Sequence, residues 1–150
     1  MLKENSSLPQ KVIEKLSEDS IILAFDYGLA RIGVAIGNTV VKDSRPLTII
    51  HWKKNQEKWK QITQIMEDWK PALVVVGVPR HKDGAPNSMT PVCENFANQI
   101  NGRFNVYVAR VDERFSSVEV EEGSDDYIDD LAAQVILEQW FRENFIDNVN

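Results

Sequence analysis

The stretch Ala24-Phe25-Asp26-Tyr27-Gly28-Leu29-Ala30-Arg31-Ile32-Gly33-Val34-Ala35-Ile36 sets one carboxylate at the end of an apolar strand, turns on glycine and returns as a second apolar strand. The run leading into Asp26 is apolar without alternation, as expected of a central strand buried on both faces, where a charge is kept only if it is paired or liganded. Asp26 is therefore a candidate site residue. The alternative at this point is an Asx-type turn residue before a hairpin glycine.

Working outward, residues 21–26, 31–36 and 46–52 read as three successive strands, the last following the Lys42-Asp43-Ser44 turn. Residues 56–70 then place Trp59, Ile62, Ile65, Met66 and Trp69 at helical spacing, with lysines expected on the outer side and Pro71 as the stop. Beyond it strand and helix alternate: a strand at 72–78, a helix at 88–100, a strand at 104–111 and a helix at 128–145. The order βββαβαβα predicts an α/β fold, a mixed five-stranded sheet in which an antiparallel meander of three strands is extended by two parallel strands and flanked by helices. In such sheets sites lie at the carboxyl ends of strands near the switch in strand order. Residues 1–19 read as a lead-in with a weak helical pattern at Leu8, Val12, Ile13 and Leu16, and residues 20–150 as a single domain.

The composition bounds what this domain does. At 150 residues with 43% hydrophobic content it can bury one real core, and no apolar stretch reaches the ~18 residues of a membrane span. Cys93 is the single cysteine, which excludes an internal disulfide or a cysteine zinc cluster, and the start of the chain lacks a secretory signal. A cytoplasmic protein with no membrane partner is the expectation. The net charge of −6 argues against a generic nucleic-acid binder, but it is unevenly spread. From Asp112 onward twelve acids face two arginines, a balance of −10, which leaves +4 on residues 1–111. That asymmetry leaves room for a nucleic-acid surface built by the first part of the chain, with scattered solvated charge as the alternative.

Two further acids stand out by position. Glu113 follows the last strand directly. Asp129 heads the apolar stripe Ala132, Ala133, Ile136, Leu137 and Trp140 of the last helix, where an acid also suits the positive end of the helix dipole. If Asp26, Glu113 and Asp129 converge, three carboxylates raise one another's pKa values unless a cation neutralises them. Oxygen-only ligands suit Mg²⁺ or Mn²⁺, one or two ions of which activate water and stabilise the leaving oxygen in phosphodiester cleavage.

Four segments, in order and at suitable spacing, resemble the signatures of the YqgF family, also called RuvX: Asp26-Tyr27-Gly28 with Arg31-Ile32-Gly33, Val76-Gly77-Val78-Pro79 with Asp83-Gly84, Asp112-Glu113-Arg114-Phe115-Ser116-Ser117, and Ile128-Asp129-Asp130-Leu131-Ala132-Ala133. The resemblance covers about residues 20 to 145. It implies an RNase H-like fold and a metal-dependent nuclease, with Asp26, Glu113 and Asp129 as catalytic metal ligands. It also implies a role at the 5′ end of precursor 16S rRNA, or alternatively Holliday-junction resolution on branched DNA. Gly28, Arg31 and Arg114 stand beside these acids as substrate-binding candidates, with salt bridges to neighbouring acids as the alternative for the arginines. Residues 118–127 are short and acidic where relatives carry a longer, often basic loop, a feature that favours a third reading, a non-catalytic ribosome-assembly module. A fourth, an ATP-binding lobe of the actin and sugar-kinase type, needs a second lobe that 150 residues do not supply.

Overall fold

The computed structural model describes residues 2, 8–16, 19–113 and 125–145, with the side chains of 125–130 left out of the description. Its elements follow the order α1 (Gln10–Leu16), β1 (Ile21–Tyr27), β2 (Arg31–Asn38), β3 (Ser44–His51), α2 (Asn55–Trp69), β4 (Leu73–Val78), α3 (Thr90–Phe104), β5 (Tyr107–Asp112) and α4 (Asp125–Asn144). The sheet order is β3-β2-β1-β4-β5. β1 pairs antiparallel with β2 and β2 with β3, whereas β4 lies parallel to both β1 and β5. β1, β3, β4 and β5 thus run in one direction and end at one edge of the sheet. No helix among the described residues is long and apolar enough to cross a membrane.

Each central strand is buried on both faces, and the two-residue repeat divides its side chains between two cores. Ile22 and Ala24 of β1, Leu73 and Val75 of β4, and Ala109 and Val111 of β5 pack beneath α4, together with Leu8, Val12 and Leu16 of the lead-in. Leu23, Phe25, Val74, Val76 and Val108 pack on the other face against Trp59 and Ile62 of α2 and Phe96 and Ile100 of α3. The lead-in therefore contributes apolar side chains to the core under α4.

Local chemistry fixes the helix ends. α2 opens where the Glu57 carboxylate accepts the backbone N–H groups of Lys53 and Lys54 at 2.9 and 3.1 Å, bonds that lower the Glu57 pKa. It closes at Lys70, which takes a left-handed φ of 45° before Pro71. The sequence expectation of a strand beginning at Phe104 is corrected: Phe104 is the last residue of α3, and the turn comes at Asn105 with a φ of 53°. Phe104 packs against the α2/α3 core, so its burial holds the helix for one more turn. The expected outer position of the α2 lysines is also corrected at Lys58, which is only 6% exposed.

Candidate active site

The sheet's carboxyl edge on the α4 side is built from the ends of β1, β4 and β5. Asp26 continues the face of Ile22 and Ala24 and sits opposite Gly33 of β2, which brings no side chain against it. The turn beyond it is closed by the Gly28 N–H donating to the Arg31 carbonyl at 2.9 Å. A Cβ on Gly28 would lie 2.8 Å from that oxygen, so the tight return into β2 requires glycine.

Glu113 prolongs β5 by one residue. Its N–H donates to the Val78 carbonyl at 3.1 Å, which continues the β4–β5 ladder and fixes the backbone from which the side chain departs. That side chain continues the face of Ala109 and Val111 and lies over Gly77 of β4. A Cβ on Gly77 would collide with the Glu113 carboxylate, coming 2.6 Å from its Cδ, and would stand 2.5 Å from Cδ1 of Ile136. β4 lies between β1 and β5, and Phe25 pairs with Val76 and Gly77 with Val111. The missing side chain at Gly77 is therefore the gap across which the Glu113 carboxylate and Asp26 face each other.

Electrostatics register that proximity. Burial, then the charges of Asp26 and Asp112, push the Glu113 pKa from its ordinary value of 4.5 up to about 8. The Cys93 thiol, 3.8 Å from the Tyr27 carbonyl, is pushed up to about 12 by burial and, after it, by the charges of Glu113, Asp26 and Glu94. Cys93 is thus a buried, protonated small hydrophobe and no nucleophile. Where desolvation and a neighbouring carboxylate together hold a carboxyl near neutral, a divalent cation is the group that lets both acids ionise. The donor set, oxygen only, fits Mg²⁺ or Mn²⁺ rather than a thiolate metal.

The sequence candidates fall as follows. Asp26 and Glu113 come together, with Gly28 in the turn beside Asp26 and Arg31 at the start of β2, half-buried and opposite His51. Asp129 belongs to α4, the helix covering this face, but its side chain lies outside the described residues, as do Arg114 and residues 118–124. Among the described residues no group of three metal-ligating side chains occurs. Gly77 enters the sequence reading only as part of the Val76-Gly77-Val78-Pro79 signature; its close approach to Glu113 is missed there, although a glycine inside an otherwise apolar strand is a sign of close approach. Asp83 of the Asp83-Gly84 signature is a turn residue, its Oδ1 accepting the Ala85 N–H at 2.9 Å. Trp59 is buried, stacked against Phe96 with the Arg103 guanidinium 3.9 Å from its ring centroid.

A mixed five-stranded sheet in this order with helices on both faces is an RNase H-like architecture, and the chain's family and relatives make it an enzyme of the phosphodiester-hydrolysing kind. The fold is that of the RuvC-type resolvases: RuvC of T. thermophilus, solved in complex with Holliday junction substrate, matches with a TM-score of 0.52 at 11% identity, over 83% of this chain and 94% of that one. The chain belongs to the RuvX family, described as Holliday junction resolvase, whose pattern it matches over residues 20–143. It is 46% identical over 131 residues to a Burkholderia mallei (strain SAVP1) protein provisionally named a pre-16S rRNA nuclease, covering 83% of this chain and 90% of the relative. A Paraburkholderia xenovorans (strain LB400) protein carrying the same name is 43% identical over 128 residues, with 81% and 88% covered.

Proposed function

We propose that this protein is a divalent-metal-dependent endonuclease acting in the cytoplasm on the 5′ end of precursor 16S rRNA, with Asp26, Glu113 and Asp129 as the metal-binding carboxylates. The observation that carries the reading is the half-buried Glu113 carboxylate lying over Gly77, its pKa raised first by desolvation and then by the charge of Asp26. Two acids packed together at the carboxyl edge of the sheet cost stability, and a site that binds a dication recovers it on loading. The substrate class rests on the relatives named for pre-16S rRNA cleavage.

In this reading Asp26 and Glu113 hold the cation from β1 and β5, and Asp129 supplies a third oxygen ligand from α4. Mg²⁺ or Mn²⁺ held there would supply charge neutralisation at the scissile phosphate and activation of water. The protein's own part is orientation. The Gly28 turn and the backbone bond from Glu113 to Val78 fix the two carboxylates to the sheet, so little ordering remains when substrate arrives. Arg31 and Arg114 bind the phosphodiester. Cleavage of branched DNA is the second reading, and the family's description as Holliday junction resolvase favours it.

A panel of labelled substrates with Mn²⁺ decides among these: a precursor of the 16S 5′ end, unstructured single-stranded RNA and a four-way DNA junction. Cleavage of the precursor at defined positions, abolished by Asp26→Asn and Asp129→Asn, is expected. Preference for the junction would transfer the assignment to DNA, and equal activity in wild type and mutants would overturn both.

A further inference from the structure

β1, β3 and β4 end at one edge, so the segments that leave them are neighbours at the rim of the candidate site. After β3 comes Trp52-Lys53-Lys54, and after β4 comes Pro79-Arg80-His81-Lys82. Lys53, Lys54, His81 and Lys82 are exposed, and none of these residues or Arg80 forms an ion pair among the described residues. In a chain of net charge −6, unpaired cations at both flanks of an acidic site are a local reversal of sign.

Both flanks are held in shape. The Glu57 carboxylate binds the backbone N–H groups of Lys53 and Lys54, so its charge is spent on the main chain. In the second flank, the His81 N–H donates to Ala85 O and the Gly84 N–H to His81 O, both at 2.9 Å, and Gly84 takes a φ of 90°. Arg80 braces the turn by donating from Nη1 to the Gly84 carbonyl at 3.2 Å, and the Asp83 carboxylate is turned inward on the Ala85 N–H. Thr90 ties the base of the loop by donating from Oγ1 to the Pro79 carbonyl at 2.5 Å. Between the flanks the hairpin tip presents Leu29, 72% exposed, beside Asp26.

We propose that Lys53–Lys54 and Lys82 are the two ends of a phosphate track that carries a single nucleic-acid strand along the carboxyl edge of the sheet and over the paired acids. β3 and β4 are three strand spacings apart in the sheet, about 14 Å at ~4.8 Å per spacing. That separation is a span that a short single strand bridges within a few nucleotides. Phosphates then lie on the lysines at either end while the strand between them passes the Leu29 tip and the Asp26–Glu113 pair. His81 adds a ring N–H donor next to Lys82. The inference rests on the nuclease reading and specifies how that site takes its substrate.

The test is the salt dependence of binding for a labelled single-stranded oligoribonucleotide, measured by fluorescence anisotropy in an Asp26→Asn background that prevents cleavage. Removing a phosphate-bound lysine lowers the slope of log K against log salt by about 0.7 for a single strand. Lys82→Gln is expected to lower it by about 0.7 and Lys53→Gln with Lys54→Gln by about 1.4. Lys11→Gln with Lys15→Gln, on the α1 helix that leads to the amino end of β1, should leave it unchanged. In wild type, Lys82→Gln should raise KM several-fold at constant kcat. Equal slopes for the edge and α1 variants would overturn the track even if wild type cleaves RNA. If wild type cleaves nothing, the nuclease reading fails and the slopes still decide the track.

Discussion

Gly77 carries the most weight of any single residue outside the acids. Its Cα faces the space that the Glu113 carboxylate and the Ile136 methyl already fill. Gly77→Ala forces one of them to move, and overpacking of this kind costs about 1–3 kcal/mol. The expected result is a lower Tm by thermal denaturation together with loss of metal-dependent cleavage; a variant as stable and active as wild type would contradict the packing described. Glu113 makes a second prediction, in pH. Its folded pKa of about 8 lies above its ordinary value of 4.5, so the native state holds the proton more tightly than the unfolded chain does. The resulting stability is fully present below the lower value and is lost as pH rises through the upper one. In EDTA, stability measured by urea denaturation should therefore fall between about pH 5 and pH 8, and Glu113→Gln should flatten that fall.

At the scale of elements, α2 and α1 both do more than their sequences suggest. Lys58 turns inward from the first turns of α2. Its Nζ donates to the Tyr27 hydroxyl at 3.0 Å and stands 5.2–5.3 Å from the ring centroids of Tyr27, Trp52 and Trp59. Tyr27 is stacked on Phe96 at 4.3 Å and directly follows Asp26, so this cluster joins α2 and α3 to the end of β1. Lys58→Ala removes one hydrogen bond and the ammonium–ring contacts, a loss of about 1–3 kcal/mol by denaturant unfolding. An unchanged midpoint would mean that the cluster is not holding β1. α1 buries Leu16 at 3% exposure against the core under α4, and Leu16→Ala should cost about 2–5 kcal/mol, read by the same unfolding experiment.

These elements also show what the sequence makes legible. Uninterrupted apolar runs at β1 and β4, and the helical stripe of α2, expose the strand and helix order because burial on both faces or on one leaves a periodic record. Glu113 is legible as an acid directly after a strand, and Asp26 as a charge closing an apolar run. Lys58 is not legible: a lysine at the N-terminal turn of a helix reads as solvated, and its burial depends on Tyr27 from β1 and Trp52 from the β3–α2 connection, which close over it beside Trp59. Gly77 is legible as a strand glycine but not in its partner, because the Glu113 side chain reaches it from a different strand. Phe104 escapes for a similar reason, its burial against α2 and α3 holding α3 beyond the point where the helical periodicity fades.

For the whole molecule, the arrangement is a sheet whose parallel-running strands bring acids to one edge, cations to the flanks of that edge and a covering helix, α4, over the acidic face. The +4 balance of residues 1–111 has a place in this arrangement, since Lys53, Lys54, Arg80 and Lys82 all stand at that edge. The central claim is that Asp26 and Glu113 form a divalent-metal site. Its most direct measurement is the melting temperature of the metal-free protein at pH 7.5 as Mn²⁺ is raised to millimolar concentration, for wild type and Asp26→Asn. A ligand bound only by the native state stabilises it by ~2.7 kcal/mol at a hundredfold excess over Kd. The account predicts a Tm that climbs with Mn²⁺ in wild type and stays flat in Asp26→Asn; a flat wild-type curve, or an equal climb in both proteins, would contradict it.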